Sequence, residues 1–396
     1  MNGRNVNGGA DVEPSPWRGE FPPGGAIYLN HAGVAPIPAR AGRAVESLVR
    51  EMVSPGATRY PAWEAAWEES RRRCAALLEV SPRQVAFVPN TSTALSMVAL
   101  GLDWRVGDGI VTTDQEFPSN AVIWMETARR HGLELHRVGA AEDGSVAASA
   151  LLSRVDDRTR VVAVSSVQYA SGAAVDLRAL GEGLRGTDTL LVVDAIQSLG
   201  VLPLHPEALG VDVVAADGHK WLLGPEGCGI FYLSEKAMEW IQPRLLGWHS
   251  VANAGEYDRI VLEWRGGAKR FEPGSPNFLG AAALGESAGL LLEAGLNSGA
   301  VAARVRGVVG GMMAGLVELG CRLHTPLAED GVPAAGILVF SHPAVENRVM
   351  HQRLREMGVY HAQRGRGLRL SPHFYQDGRE VKAVLERVER AIKGEV

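Results

Sequence analysis

Between residues 85 and 233, short apolar runs alternate with longer stretches of helical period. The runs centre on 86–88, 110–113, 134–139, 160–166, 189–195, 211–216 and 229–233. Most are apolar at successive positions, not at every second one. Strands read that way when both faces of a mainly parallel sheet are covered. The alternation predicts a doubly wound α/β domain with right-handed crossovers. Helical patterning precedes it over about 42–78 and follows it over about Ala281–Glu318, after the sequence FEPGSPNFLG. A strand at 336–340, a further helix, a strand at 367–371 and an amphipathic helix after Asp377 predict a smaller α+β domain. Residues 1–25, rich in Gly, Pro and Asn, read as a flexible arm. The expected division is an arm at 1–25, a large domain at 26–284 and a small domain at 285–396.

Composition narrows what such a fold does. The chain has 396 residues, 46% hydrophobic and 21% charged, enough for a large buried core. A net charge of −5 argues against gripping a nucleic-acid backbone. The N-terminal stretch lacks an apolar signal segment, and no run approaches the roughly 18 apolar residues of a membrane span. Three widely spaced cysteines, Cys74, Cys228 and Cys321, suggest neither a disulfide framework nor a metal site. A soluble, cytoplasmic protein of enzyme size is expected, with neither nucleic acid nor membrane as partner. Only five of the 40 basic residues are lysines, so Lys220, flanked by glycines and apolar residues, calls for an explanation.

In doubly wound sheets ligands bind at the C-terminal strand ends. There the run at 86–88 leads to Asn90-Thr91-Ser92-Thr93 and a helical ALSMVAL, a helix N-terminus suited to a phosphate. The run at 189–195 carries Asp194, with Gln197 three residues on; a buried carboxylate there needs a cation. The run at 211–216 leads to Asp217-Gly218-His219-Lys220-Trp221. Burial among Trp and Leu lowers a lysine pKa and makes a nucleophilic amine. A phosphate cradle, an acid for a pyridine nitrogen and a Schiff-base lysine together are what pyridoxal 5′-phosphate (PLP) requires. A nicotinamide site fails because no GxGxxG follows the first strand.

The motifs YLNHAGVAP (28–36), NTSTALSMVA (90–99), DQEFPSN (114–120), VDAIQSLG (193–200), DGHKWLLGPEGCGIFYL (217–233), RFEPGSPN (270–277) and LRLSPHFY (368–375) carry a resemblance. The chain resembles fold-type I PLP enzymes of the class V aminotransferase family, near the cysteine desulfurase-like and isopenicillin N epimerase-like branch. The resemblance implies a large domain with a mostly parallel mixed sheet and a smaller C-terminal α+β domain. It makes Lys220 the Schiff-base lysine and Cα base, Asp194 the pyridine-nitrogen partner and Gln197 the partner of the ring hydroxyl. Thr91, Ser92 and His219 match phosphate ligands, with Asn90 beside them. Phe117 stands where desulfurases stack a histidine on the ring. Ser275 matches a phosphate contact made across a subunit boundary, which implies a homodimer with shared sites. Arg369 matches the clamp for a substrate carboxylate, and Ser166, Gln168 and His31 are further candidates for substrate contact. Arg364, Arg366, His361 and His373 lie close to Arg369 in sequence, where one could meet the distal end of a substrate.

The departures matter as much. Desulfurases carry a nucleophilic cysteine just before the carboxylate arginine; here 357–368 reads MGVYHAQRGRGL, without one. Persulfide-forming desulfuration is therefore not expected. The first-ranked reading is a C–S lyase acting by β-elimination on an amino acid or its conjugate. Enzymes that tailor sulfur-bearing conjugates of lincosamide antibiotics look similar. Transamination, epimerisation and decarboxylating oxidative deamination follow in rank, and a PLP-sensing regulator is the non-enzyme alternative.

Overall fold

The computed structural model describes residues 12–22 and 24–395. Its strands, in chain order, are β1 (Ile27–Tyr28), β2 (Val85–Val88), β3 (Gly109–Thr113), β4 (Glu134–Val138), β5 (Thr159–Ser165), β6 (Leu190–Asp194), β7 (Val213–Asp217), β8 (Gly229–Leu233), β9 (Arg322–Leu323), β10 (Leu338–Ser341), β11 (Val359–Tyr360), β12 (Ala362–Arg364) and β13 (Gly367–Leu370). Seven of them form one sheet in the order β2-β8-β7-β6-β5-β3-β4. β3 to β7 run parallel to one another, while β8 is antiparallel to both β7 and β2. This is the mixed, mostly parallel sheet expected.

The continuous apolar runs have a direct cause. Leu190 and Val192 of β6 enter the core on one face, and Leu191 and Val193 enter a second core on the other. All four are fully buried, so neither face tolerates a polar alternate. The edge strand β4 is buried at no position and reads ELHRV, the one run with charged residues at intervals.

The C-terminal unit is a four-stranded sheet, β12-β13-β10-β9, with helices Asn347–Glu356 and Gly378–Lys393. Asp377 caps the latter in a reciprocal capping box with Glu380. A short parallel pair, β1 with β11, ties the N-terminal part of the chain to this unit.

Three boundaries differ from expectation. The helical stretch read at 281–318 is two helices, Phe278–Glu293 and Ala300–Glu318, broken at Gly295 and Gly299, both with positive φ. A domain cut after residue 284 falls inside the first of these, which packs on helices Ala39–Val53 and Tyr60–Leu78. Ala300–Glu318 is long and apolar enough to cross a membrane by length and composition, yet it packs against Gly378–Lys393 and carries Arg304 and Arg306. Of the segment read as a flexible arm, residues 1–11 lie outside the described residues. Residues 12–22 are fastened: Ser15 donates to the Phe374 carbonyl, Arg18 pairs with Glu380 at 2.8 Å, and Phe21 stacks on Tyr375.

Candidate active site

The ends of β2, β6 and β7 converge. After β2, Asn90 is extended and its side chain accepts from the Thr93 N–H at 2.9 Å, capping the helix Thr91–Gly101. Thr91 Oγ1 accepts from the backbone N–H of Asp217 at 3.0 Å, which ties this helix start to the end of β7. Ser92 meets Ser119 Oγ at 2.8 Å. Asp217 turns to His219, its Oδ2 lying 2.9 Å from Nδ1 without the alignment of a hydrogen bond.

Lys220 is 9% exposed and has no ion pair or hydrogen bond among the described residues. Burial lowers its pKa to about 8, against a pull upward from Asp194 and a further push down from Arg369. Its ammonium stands 5.5 Å from the centre of the Phe117 ring. Asp194 is pushed up to about 7, chiefly by burial, with Glu116 adding to the rise while the Ile196 N–H and Lys220 oppose it. A lysine and a carboxylate drawn toward neutrality from opposite sides are a pair poised for proton traffic.

The turn that carries Lys220 is held rigidly. Leu223 adopts a left-handed φ of 58°, a conformation that costs a branched side chain on the order of 1–3 kcal/mol. Ser287 offsets it by donating to the Leu223 carbonyl at 2.7 Å. Trp221 is fully buried, and its indole N–H donates to Gln197 Oε1 at 2.9 Å. Gly200 has φ of 108°, and a Cβ there would sit 2.1 Å from the Trp221 carbonyl oxygen, so no other residue fits. Gln197 spends one amide N–H on the Ala32 carbonyl at 3.1 Å and keeps the other for a ligand.

Arg369, on β13, is 2% exposed. It donates to the Tyr169 carbonyl at 2.7 Å and approaches Asn30 Oδ1 at 3.4 Å, while its Nε has no partner. Burial, then Arg364, lowers its pKa to about 10. A buried guanidinium without a carboxylate lacks an anion, which is what a substrate carboxylate supplies. Tyr169 meets Phe117 edge to face at 5.1 Å, joining the clamp to the ring above Lys220.

Several candidates take other roles. His31 is fully buried with both ring nitrogens engaged, by the Ser371 carbonyl at 2.8 Å and Tyr375 Oη at 2.7 Å, so it is framework and not a substrate contact. Ser166 bonds Ser198 Oγ at 2.6 Å and the Asp194 carbonyl at 3.2 Å. Gln168 gives its amide N–H to Glu116 at 2.9 Å and leaves an unpartnered oxygen, an acceptor that would repel a carboxylate. His361 and His373 are likewise buried and bonded. Ser275 lies exposed in the bend before Phe278–Glu293. Two residues escaped the sequence reading although both sit in its quoted motifs: Asn30 of YLNHAG, beside Arg369, and Glu116 of DQEFPSN.

The fit to PLP can be tested on these atoms. The helix start at Thr91 and Ser92 offers N–H groups to an anion and, among the described residues, Asp194 lacks a cation beyond Lys220 and the Lys220 amine is unpaired. The residues present fit the group. Residues 27–366 match the family described as aminotransferase class-V. The chain belongs to that family. As a class V member it is a PLP-dependent enzyme. A probable cysteine desulfurase of Methanothermobacter thermautotrophicus is 33% identical over 66% of this chain, an aligned stretch that spans 65% of that protein. Another, of Pseudomonas putida, is 28% identical over 96% of this chain and 99% of its own length. Among solved structures, a lysine-to-alanine mutant of C-DES with glycine covalently linked to its PLP cofactor superposes with a TM-score of 0.87 at 26% identity, covering 95% of this chain and 99% of that one. The complex of the cystine C–S lyase C-DES with cysteine persulfide gives 0.84 at 25% identity, over 92% and 98%.

Proposed function

We propose that this class V enzyme is a C–S lyase that cleaves the Cβ–S bond of a cysteine S-conjugate by β-elimination, without a protein thiol. The state of the cysteines carries this reading. All three are free and buried, and burial pushes Cys74 up to about 12, Cys321 up to about 11 and Cys228 well above its usual value. A nucleophilic thiol needs the reverse, exposure and a lowered pKa. The segment ahead of Arg369 is instead a tight hairpin, β12 to β13, turned at Gly365-Arg366.

PLP, when bound, supplies the carbonyl that captures the substrate amine and the sink for the electrons of the Cα–H bond. Asp194 would meet the pyridine nitrogen and hold a proton there. Arg369 anchors the α-carboxylate and so orients the Cα–H toward Lys220. The Lys220 amine would take that proton; a pKa lowered to about 8 leaves more of it unprotonated near neutral pH than an ordinary lysine keeps. The electron pair of the Cα–H bond expels the Cβ substituent as a thiolate, which takes a proton from water. Hydrolysis of the remaining enamine gives pyruvate and ammonium. Beside Tyr169 a cavity of about 290 Å³, lined by Asp114, Gln115, Asp143, His324 and Arg366 among others, offers room beyond a free amino acid. We take it to receive a large polar thiol portion, of the lincosamide-conjugate kind.

The functional unit is a cytoplasmic homodimer in this reading. Ser275 is exposed, and the nearby segment shows Leu246, Trp248, Tyr257, Ile260 and Leu262 to solvent, an apolar surface that a second copy would cover. A stable, active monomer by light scattering would refute it.

The test is a turnover assay of PLP-loaded protein with free cysteine, cystine and an S-aryl-cysteine, reading thiol, keto acid and ammonia together. Equal release of all three from the conjugate, with little sulfide from cysteine, is expected, and a variant with all three cysteines replaced should retain it. A persulfide on Cys321 or Cys228, or a folded but inactive cysteine-free variant, would return the protein to the desulfurases. Keto acid without thiol would make it an aminotransferase.

A further inference from the structure

Glu116 is a buried carboxylate with no cation on it among the described residues. Its side chain is held by hydroxyls and N–H donors alone. Thr113 Oγ1 donates at 2.9 Å, Asn120 Nδ2 at 2.8 Å, the Ser165 backbone N–H at 3.0 Å and Gln168 Nε2 at 2.9 Å, and the Ser165 hydroxyl adds a fifth bond. These donors come from the end of β3, the first turn of the helix Pro118–His131, the end of β5 and the loop beyond it. Trp124 locks Asn120 in turn, its indole N–H donating to Asn120 Oδ1 at 2.8 Å. Such a network is costly to bury unless every member is satisfied, and at Glu116 every oxygen is.

Two consequences reach the reacting centre. The residue after Glu116 is Phe117, whose ring covers the Lys220 ammonium at 5.5 Å, so the carboxylate fixes the backbone that sets this ring. Ser165, which Glu116 grips by both N–H and hydroxyl, pairs in register with Asp194 across β5 and β6. The Glu116 carboxylate therefore stands one strand away from Asp194.

We infer that Glu116 is a positioning residue for the PLP chemistry: it sets the Phe117 ring over Lys220 and lends negative charge to the Lys220–Asp194 centre. The other groups facing that centre are Arg369 and Arg364, which act in the opposite sense, and Asp217, which acts in the same one. Burial also raises Asp194, and the Glu116 charge adds to that rise. The inference rests on PLP at Lys220 and not on which Cα bond breaks, so a spectroscopic readout separates its failure from failure of the lyase reading.

The experiment is a pH titration of the visible absorbance of the PLP-loaded protein, with thermal melting run in parallel. Glu116→Gln removes the charge and keeps the volume. Its midpoint should fall by about 0.5 pH unit or more, because removing a negative charge weakens proton binding at every site nearby. Ser165→Ala keeps the charge and deletes one hydroxyl donor, so its midpoint should move the opposite way, and it stands alone as the test if Glu116→Gln does not fold. Glu116→Asp should recover part of the wild-type midpoint. Midpoints of Glu116→Gln and Ser165→Ala within 0.1 unit of wild type, with only the melting temperature lowered, would reduce Glu116 to a structural residue and overturn the inference.

Discussion

Two buried cations sit in this molecule under opposite regimes. Arg71, fully buried, makes a two-pronged pair with Glu272 at 2.6 and 3.0 Å, donates to the Val85 carbonyl at 2.8 Å, and packs against the Trp67 and Phe87 rings at 4.6 and 5.0 Å. Its cost of burial is offset by these contacts and by Glu68 at 3.4 Å, and it ties the helix Tyr60–Leu78 to β2 and to the segment before Phe278–Glu293. Lys220 is almost as deeply buried, yet neither Asp194 nor Asp217 comes into ion-pair contact with it. One cation is a fastening. The other is left in electrostatic debt, and that debt is what makes its amine a nucleophile and base near neutral pH.

Exchanging the two cations for apolar residues should give opposite results. Lys220→Met is expected to abolish turnover altogether and to leave the PLP-free protein at least as stable as wild type, because it removes an unpaired buried charge. Steady-state assay and thermal melting check both parts. Arg71→Ala should destabilise by about 3–5 kcal/mol, since it strands Glu272 without its partner. Chemical denaturation measures this, and the folded fraction should still bind PLP.

The clamp sharpens the contrast further, because Arg369 is also buried with an open valence. Arg369→Ala should cost at least about tenfold in kcat/KM for an α-amino acid, and Arg369→Lys should not restore it, since an ammonium cannot reproduce the planar fork. Equal turnover by wild type and mutant would exclude a carboxylate-bearing substrate from this subsite.

A smaller effect belongs to the protonation state of the framework. His31, His361 and His373 are buried neutral; burial holds His361 and His373 at about 4 and lowers His31 well below its usual value. The unfolded chain binds a proton at each near pH 6.5 and the folded chain does not. Stability is therefore lost as pH falls from about 6.5 toward 4, by about 1 kcal/mol per pH unit per histidine. Lys220 runs the other way in function: PLP uptake by the PLP-free protein should accelerate as pH rises through about 8. Melting curves and stopped-flow absorbance across pH 5–9 would show the two trends separately.

Much of this was legible in the residue order. Unbroken apolar runs at 160–166, 189–195 and 211–216 announce strands covered on both faces, and ligands of such sheets bind at the C-terminal strand ends. Asp194 and Lys220 were readable for that reason. His31, Ser166 and Gln168 were not, because a polar side chain in a motif has the same identity whether its donors face substrate or framework. Glu116 was hidden for the converse reason: its five partners come from residues 113, 120, 165 and 168, and only the juxtaposition of β3 and β5 makes them one network.

The sequence by itself determined the layered α/β architecture, the cofactor-type constellation at Asn90, Asp194 and Lys220, and the lack of a thiol ahead of Arg369. These are properties of local period and local chemistry. Tertiary structure alone decided that Cys74, Cys228 and Cys321 are buried and that, among the described residues, Arg369 keeps an unpartnered Nε and the buried Lys220 amine has no ion pair. Each of those depends on desolvation and on distances between segments far apart in the chain. A charge's free energy is set by what surrounds it, and a linear order of residues does not contain its surroundings.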